Sequence, residues 1–159
     1  MRWCTWYFLF LSLLLISAHQ DGLRTAYAQT SPSVQEARTH FQNGLQRAFQ
    51  GDLDQAANEF NKAISLDPTN PFFYYNLGLV LGMKREFQPA MDAFTQTLRI
   101  RPEHLQSHFR LGLLYEINGQ YEKALEEYQR VIGLGEQEWE VAMARQRITF
   151  LEKALSNLR

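Results

Sequence analysis

Residues 78–102 read GLVLGMKREFQPAMDAFTQTLRIRP, and this stretch decides the fold. The same residue types recur 34 positions before it and 34 positions after it. The recurring members are Gly44, Gly78 and Gly112, Ala56, Ala90 and Ala124, Phe60, Phe94 and Tyr128, and Pro68 and Pro102. A third proline is missing, because Glu136 stands at its position. A fixed period of small, small, aromatic and proline residues indicates a stacked array of helix-turn-helix units.

Apolar spacing and end signals place the helices inside each unit. The small residues let helices approach closely, the aromatic residue fills the space between units, and proline begins the turn to the next unit. Residues 29–36 are expected to hold a flexible lead, 29–33, and the start of the first helix, with Ser33 as its cap and Glu36 as the capping-box partner. Asp52 is expected to cap the second helix. The first predicted helix ends near Gln50, and the later ones span 52–66, 72–84, 87–100, 103–117, 121–132 and 137–158.

These positions resemble the tetratricopeptide repeat family. The second unit carries Tyr74, Leu77-Gly78, Ala90, Phe94 and Pro102, and the third carries Leu111-Gly112, Tyr115, Ala124 and Tyr128. The first unit is weaker at its front, with His40, Asn43 and Arg47, but it keeps Ala56, Phe60, Ala63 and Pro68. The resemblance implies an all-α helix-turn-helix solenoid of three repeats, 37–70, 71–104 and 105–138, with a C-terminal capping helix in 139–159. It also implies a scaffold that binds a protein or peptide partner, and no enzyme.

Residues 1–28 differ from the rest of the chain. Trp3–Ala18 carries no charge, and the strongly apolar part, Trp6–Ile16, is shorter than the roughly 20 residues of a membrane-spanning helix. Ala26-Tyr27-Ala28 has the small residues of a signal-peptidase site. We therefore expect an export signal cut before Gln29, and a periplasmic, lumenal or secreted mature chain. The alternative is an uncleaved signal anchor, which would make the protein a membrane-anchored or self-associating assembly subunit.

Composition excludes several classes of protein. The net charge of −1 gives no electrostatic reason to expect a nucleic-acid partner. A single cysteine, Cys4, forms neither a disulfide framework nor a thiolate metal site. His104 and His108 are spaced like two ligands on one helix face, but a transition-metal site needs three or four ligands. We find no phosphate loop or nucleophile motif, and expect no cofactor, no metal and no catalytic residue.

The resemblance further implies that the first helix of each repeat lines a concave groove. The facing positions expected to bind the partner are Phe41, Leu45, Phe72, Tyr75, Asn76, Leu79, Phe109, Arg110 and Leu113. Such an apolar and aromatic surface suits an amphipathic helix or an extended apolar peptide. The alternative is that several of these side chains pack against neighbouring helices.

Some relatives grip the carboxylates of chaperone tails with a clamp of five side chains. Here Asn76 and Arg110 match two of those positions, whereas Phe41, Leu45 and Gln106 replace lysine, asparagine and lysine. Because a phenylalanine cannot neutralise a carboxylate, the sequence argues against this clamp.

Overall fold

The computed structural model describes residues 31–135 and 139–156, and the expected export signal lies outside them. The helices within these residues are α1 Pro32–Phe49, α2 Leu53–Leu66, α3 Pro71–Met83, α4 Phe87–Ile100, α5 Leu105–Ile117, α6 Tyr121–Leu134 and α7 Trp139–Ser156. No strand occurs in this part of the chain. The predicted all-α solenoid is confirmed.

The helices pack in sequence order. α1 lies against α2, α3 against α4 and α5 against α6, and the second helix of each pair also packs against the first helix of the next. α7 packs on α6 and contacts α5, so it occupies the place of the first helix of a fourth unit. Buried clusters follow one another along the array, from Ala37 and Phe73 at one end to Val131 and Leu151 at the other.

Each period-defining glycine lies against the aromatic ring of its own unit. A Cβ atom on Gly78 would be 2.8 Å from Cε1 of Phe94, and Gly44 with Phe60 and Gly112 with Tyr128 show the same arrangement. The sequence placed the aromatic residue between units. Phe94 does share a buried cluster with Leu111 of the next unit, but its closest approach is to the glycine within its own pair of helices.

Helix starts follow local chemistry, with two differences from expectation. Asp52 caps α2 by accepting a hydrogen bond from the Gln55 N–H, as predicted. The cap of α1, however, is Ser31, because Pro32 suits the first helical position and needs no hydrogen-bond partner there. Ser33, the expected cap, therefore lies inside the helix, which begins at Pro32. α5 begins at Leu105 rather than near residue 103, because the ring of His104 caps it.

The turns inside the three helix pairs need a left-handed residue. Gly51 and Gly119 have φ values of 81° and 71°, and the equivalent residue between them is Arg85, with φ of 64°. Glycine adopts this conformation freely, whereas a side chain makes it unfavourable by roughly 1 kcal/mol. Arg85 is the positive-φ non-glycine residue of the described chain.

We expect Arg85→Gly to stabilise the protein by about 0.5–1 kcal/mol, because it removes this conformational strain. Arg85 makes no side-chain hydrogen bond or ion pair to another described residue that the change would break. The urea midpoint measures the effect, and Arg99→Gly within helix α4 is the control, which should lower the midpoint. A lower midpoint for Arg85→Gly would contradict the left-handed turn at this position.

Candidate peptide-binding groove

Two rows of exposed or half-buried apolar side chains run across the first helices of the three units. One row is Leu45, Leu79 and Leu113, and the other is Phe49, Met83 and Ile117, four residues further along each helix. The second row is the more open, with exposed fractions of 94%, 64% and 60%. Since residues four apart lie on one face of a helix, the two rows form one surface. We call it the groove surface.

A pocket of about 440 Å³ lies in this surface between α3 and α5. Leu79, Met83, Leu113 and Ile117 form its apolar walls. Arg110 is its single charged lining residue, and no hydrogen bond or ion pair joins the Arg110 side chain to another described residue. Gly82 adds no side chain to the rim, and the ring of Phe94 lies at the floor beside Gly78. The volume and lining suit one or two apolar side chains beside a negatively charged group.

A second pocket, of about 310 Å³, lies between α1 and α2. Its lining is polar and consists of Asn43, Gln46, Arg47, Gln50, Gln55 and Glu59. These amide and charged side chains can be solvated by water without a ligand. The apolar pocket between α3 and α5 is therefore the stronger candidate, because exposed apolar surface carries a free-energy cost that a ligand removes.

The aromatic position of the groove is more buried than the sequence suggested. Phe41 packs on Phe60 and Phe73, with ring centroids 5.7 and 5.1 Å apart. Tyr75 lies 5.8 Å from Phe94. Both rings are only partly accessible to solvent. They contribute to the wall of the groove while belonging mainly to the packing between helices.

Phe109 is not available to a ligand. Its side chain is 3% exposed and lies between Tyr128, at 5.9 Å, and the indole of Trp139, at 5.4 Å. The expectation that this ring faces the partner is wrong, because helix α7 covers it. Trp139 takes the exposed place instead.

The other residues predicted to bind the partner differ in their surroundings. Leu45 and Phe72 are exposed, and Leu79, Arg110 and Leu113 meet in the pocket. The side-chain amide of Asn76 donates a hydrogen bond to the Phe72 carbonyl at 2.8 Å, which supports a structural role.

Glu116, at the end of α5, is held by neighbours. The Tyr128 hydroxyl donates a hydrogen bond to Oε2 of Glu116 at 2.9 Å, and Nη1 of Arg147 lies 3.3 Å from Oε1. Burial, and then the Glu116 carboxylate, raise the pKa of Tyr128, so its hydroxyl stays a donor. On the last helix, Arg147 is half-buried and Glu140 is buried.

The two histidines considered for a metal pair have structural partners. His104 Nδ1 accepts the Ser107 N–H at 3.2 Å, and burial lowers the pKa of His104, which favours this neutral acceptor. Nδ1 of His108 lies 2.6 Å from Glu127, and its Nε2 lies 2.8 Å from the Pro102 carbonyl. The described residues contain no group of three or more side chains that could hold a metal ion.

The first unit repeats the histidine–carboxylate contact, because Nδ1 of His40 lies 2.7 Å from Glu59. Hydrogen bonds from His40 and Lys62 lower the pKa of Glu59 to about 2, so this carboxylate is charged at neutral pH. The pairs His40–Glu59 and His108–Glu127 are 68 residues apart, which is two periods. They join the first and second helices of their units.

The fold and the groove together define an α-helical repeat protein with an open apolar surface. Two family models match the chain, "TPR repeat" over residues 44–84 and "Tetratricopeptide repeat" over residues 75–138. Together they cover more than half of the chain. The chain belongs to the tetratricopeptide repeat family, which consists of protein-interaction scaffolds. A search of curated proteins found no match.

Solved structures of the same fold are numerous. The first TPR domain of Spaghetti (RPAP3), bound to the HSP90 peptide SRMEEVD, has a TM-score of 0.71 and 22% identity, with 77% of this chain and 95% of that chain covered. MamA has a TM-score of 0.70 and 26% identity, over 86% of this chain and 78% of that chain. The Arabidopsis OM64 TPR domain has a TM-score of 0.69 and 20% identity, over 74% and 97%. These similarities agree with the solenoid described above.

Proposed function

We propose that this protein is an exported scaffold that holds a segment of a partner protein in its groove, either as a stable complex or during assembly of one. The observation that carries the proposal is the apolar pocket between α3 and α5, with Leu79, Leu113 and the unpaired Arg110. The exposed side chains of Leu45 and Phe49 on α1 extend this apolar surface beyond the pocket. Contiguous exposed apolar surface of this kind usually marks an interaction site.

The similar RPAP3 domain binds a peptide that ends in EEVD, which contains three acidic residues. It supports a peptide as the partner class of this chain, but the groove chemistry differs. Phe41, Leu45 and Gln106 occupy three of the five positions of the carboxylate clamp. Apolar contacts would therefore supply most of the affinity here, and Arg110 would add one charged contact.

Export rests on the sequence of residues 1–28. Ala26-Tyr27-Ala28 follows an apolar run, which is the arrangement of a cleaved signal. None of the described helices is long and apolar enough to cross a membrane. Mass spectrometry of protein recovered outside the cytoplasm is expected to give a chain that begins at Gln29. Recovery of the full-length chain in membranes would instead favour the anchored assembly subunit.

The groove is tested by comparing two leucine variants. Leu113→Asp places a carboxylate in the pocket, so capture of the partner from an extracytoplasmic fraction should fall about tenfold or more. Leu125→Asp, on the second helix of the same unit, is the matched control outside the pocket. Circular dichroism must show that both variants remain folded. Equal capture by wild type and Leu113→Asp would contradict the groove as the binding site.

A further inference from the structure

Helix α7 has two apolar sides. Val141, Ala144 and Leu151 are buried against α5 and α6, in one cluster with Tyr128 and Val131. A different set of large side chains on the same helix is open to solvent. Trp139, Met143 and Phe150 have exposed fractions of 57%, 39% and 61%. A helix that only closes a solenoid needs a polar outer side, so these three residues require another explanation.

The exposed residues share one direction. At about 100° per residue, their spacing of four and then seven residues groups them in a narrow sector, roughly 130° from the buried side. The other solvent-facing side of α7 is mainly polar and carries Ala142, Arg145, Thr149 and Glu152. A polar side of this kind is what the last helix of a solenoid is expected to present to solvent. The sector of Trp139, Met143 and Phe150 is therefore a separate surface.

Contacts with α5 identify this surface. On α5, Leu111 packs in a cluster with α4, Arg110, Leu113 and Ile117 line the pocket, and Leu114 belongs to both. On a helical wheel, the pocket residues of α5 lie to one side of Leu111. On α7, Phe150 lies to the same side of the buried Ala144. The indole of Trp139 also lies against Phe109, and Arg147 reaches Glu116. The exposed sector of α7 thus continues the groove surface past α5.

The charges along this extension have one sign. Arg110 on α5 and Lys153 on α7 border the apolar side chains, and neither has a carboxylate partner among the described residues. Glu116 is held by Tyr128 and Arg147, and Glu140 is 4% exposed. Glu152, next to Lys153 in the sequence, is exposed but lies on the polar side of α7. A partner with carboxylates beside its apolar contacts would complement these cations.

We infer that α7 carries the last row of the partner-binding surface, and that the partner segment is an amphipathic helix with acidic residues beside its apolar side. Neighbouring helices lie about 8–10 Å apart, so crossing α3, α5 and α7 takes roughly 20 Å, or about 13 residues of helix. This inference rests on the proposed function, and it adds the extent of the site and the chemistry of its ligand.

Trp139 supplies a direct signal for the test. The sequence has three tryptophans, and replacing Trp3 and Trp6 by phenylalanine leaves Trp139 as the single one whether or not the N-terminal segment is removed. The probe is a displayed library of random 20-residue peptides, from which binders are selected and synthesised. Selected peptides should be apolar at helical spacing and enriched in Asp and Glu. Their binding should shift Trp139 emission to shorter wavelengths, because the indole loses contact with water.

Matched variants separate this inference from the proposed function. Phe150→Ser should weaken selected peptides about tenfold or more. Lys153→Gln should weaken them about threefold, whereas Arg145→Gln, the same charge change on the polar side of α7, should have no effect. If Leu113→Asp abolishes binding but Phe150→Ser does not, the groove stands and its extension over α7 is overturned.

Three other results would overturn all or part of this inference. Enrichment of Lys and Arg in the selected peptides overturns the acidic partner. Failure to select any peptide overturns the proposed function together with this inference. Vesicles of phosphatidylcholine and phosphatidylglycerol are the comparison probe, and an emission shift with vesicles alone would assign the apolar row of α7 to a lipid surface instead.

Discussion

Gly78→Leu is expected to destabilise the protein by about 3 kcal/mol or more, at the upper end of the range for overpacked sites. The Cβ atom alone would lie 2.8, 2.9 and 3.0 Å from three carbons of the Phe94 ring. Phe94 is buried, so its ring has no free space into which it can move. Thermal melting should show a midpoint lower by roughly 10 °C.

Gly82→Ala is the matched control in the same helix. A Cβ atom on Gly82 meets no heavy atom within 4 Å, and alanine favours a helix over glycine by about 0.5–1 kcal/mol. This variant should therefore melt at the same temperature as the wild type or slightly above it. Equal melting temperatures for Gly78→Leu and the wild type would contradict the close approach of α3 and α4 on which the repeat register depends.

The repeat architecture could be predicted because its signal is periodic and local. Glycine, alanine and an aromatic residue at fixed offsets describe one close helix crossing, and the sequence repeats it three times. The same period locates the left-handed turn at Arg85, halfway between Gly51 and Gly119, although the residue type gives no hint of it. The choice between Ser31 and Ser33 as a cap depends on Pro32, which is a local rule that the sequence contains.

The candidate site was less predictable, because burial in it depends on the last helix. The period breaks after the third unit, where Glu136 replaces proline, so the rotation of α7 could not be set by counting 34 residues from α5. No groove position was therefore predicted on α7, and the exposed side chains of Trp139 and Phe150 were missed. Their spacing at positions 139, 143 and 150 was the available signal.

Coverage by α7 also reverses one expectation about stability. If Phe109 faced a ligand, its truncation would weaken binding and leave folding nearly unchanged. The ring is instead enclosed by Tyr128, Trp139 and the cluster that includes Val141. Phe109 is as buried as Phe94, with exposed fractions of 3% and 2%. The two phenylalanines should therefore respond alike to substitution.

Phe109→Ala and Phe94→Ala are each expected to cost about 3–5 kcal/mol, because each leaves a cavity that the packed helices cannot fill. Ile117→Ala, at the exposed end of the same helix as Phe109, should change stability by less than about 1 kcal/mol. Urea titration of the three variants measures the contrast. A wild-type midpoint for Phe109→Ala would mean that Trp139 and α7 do not cover this ring in solution, which would return Phe109 to the groove and remove the contact that places α7 beside α5.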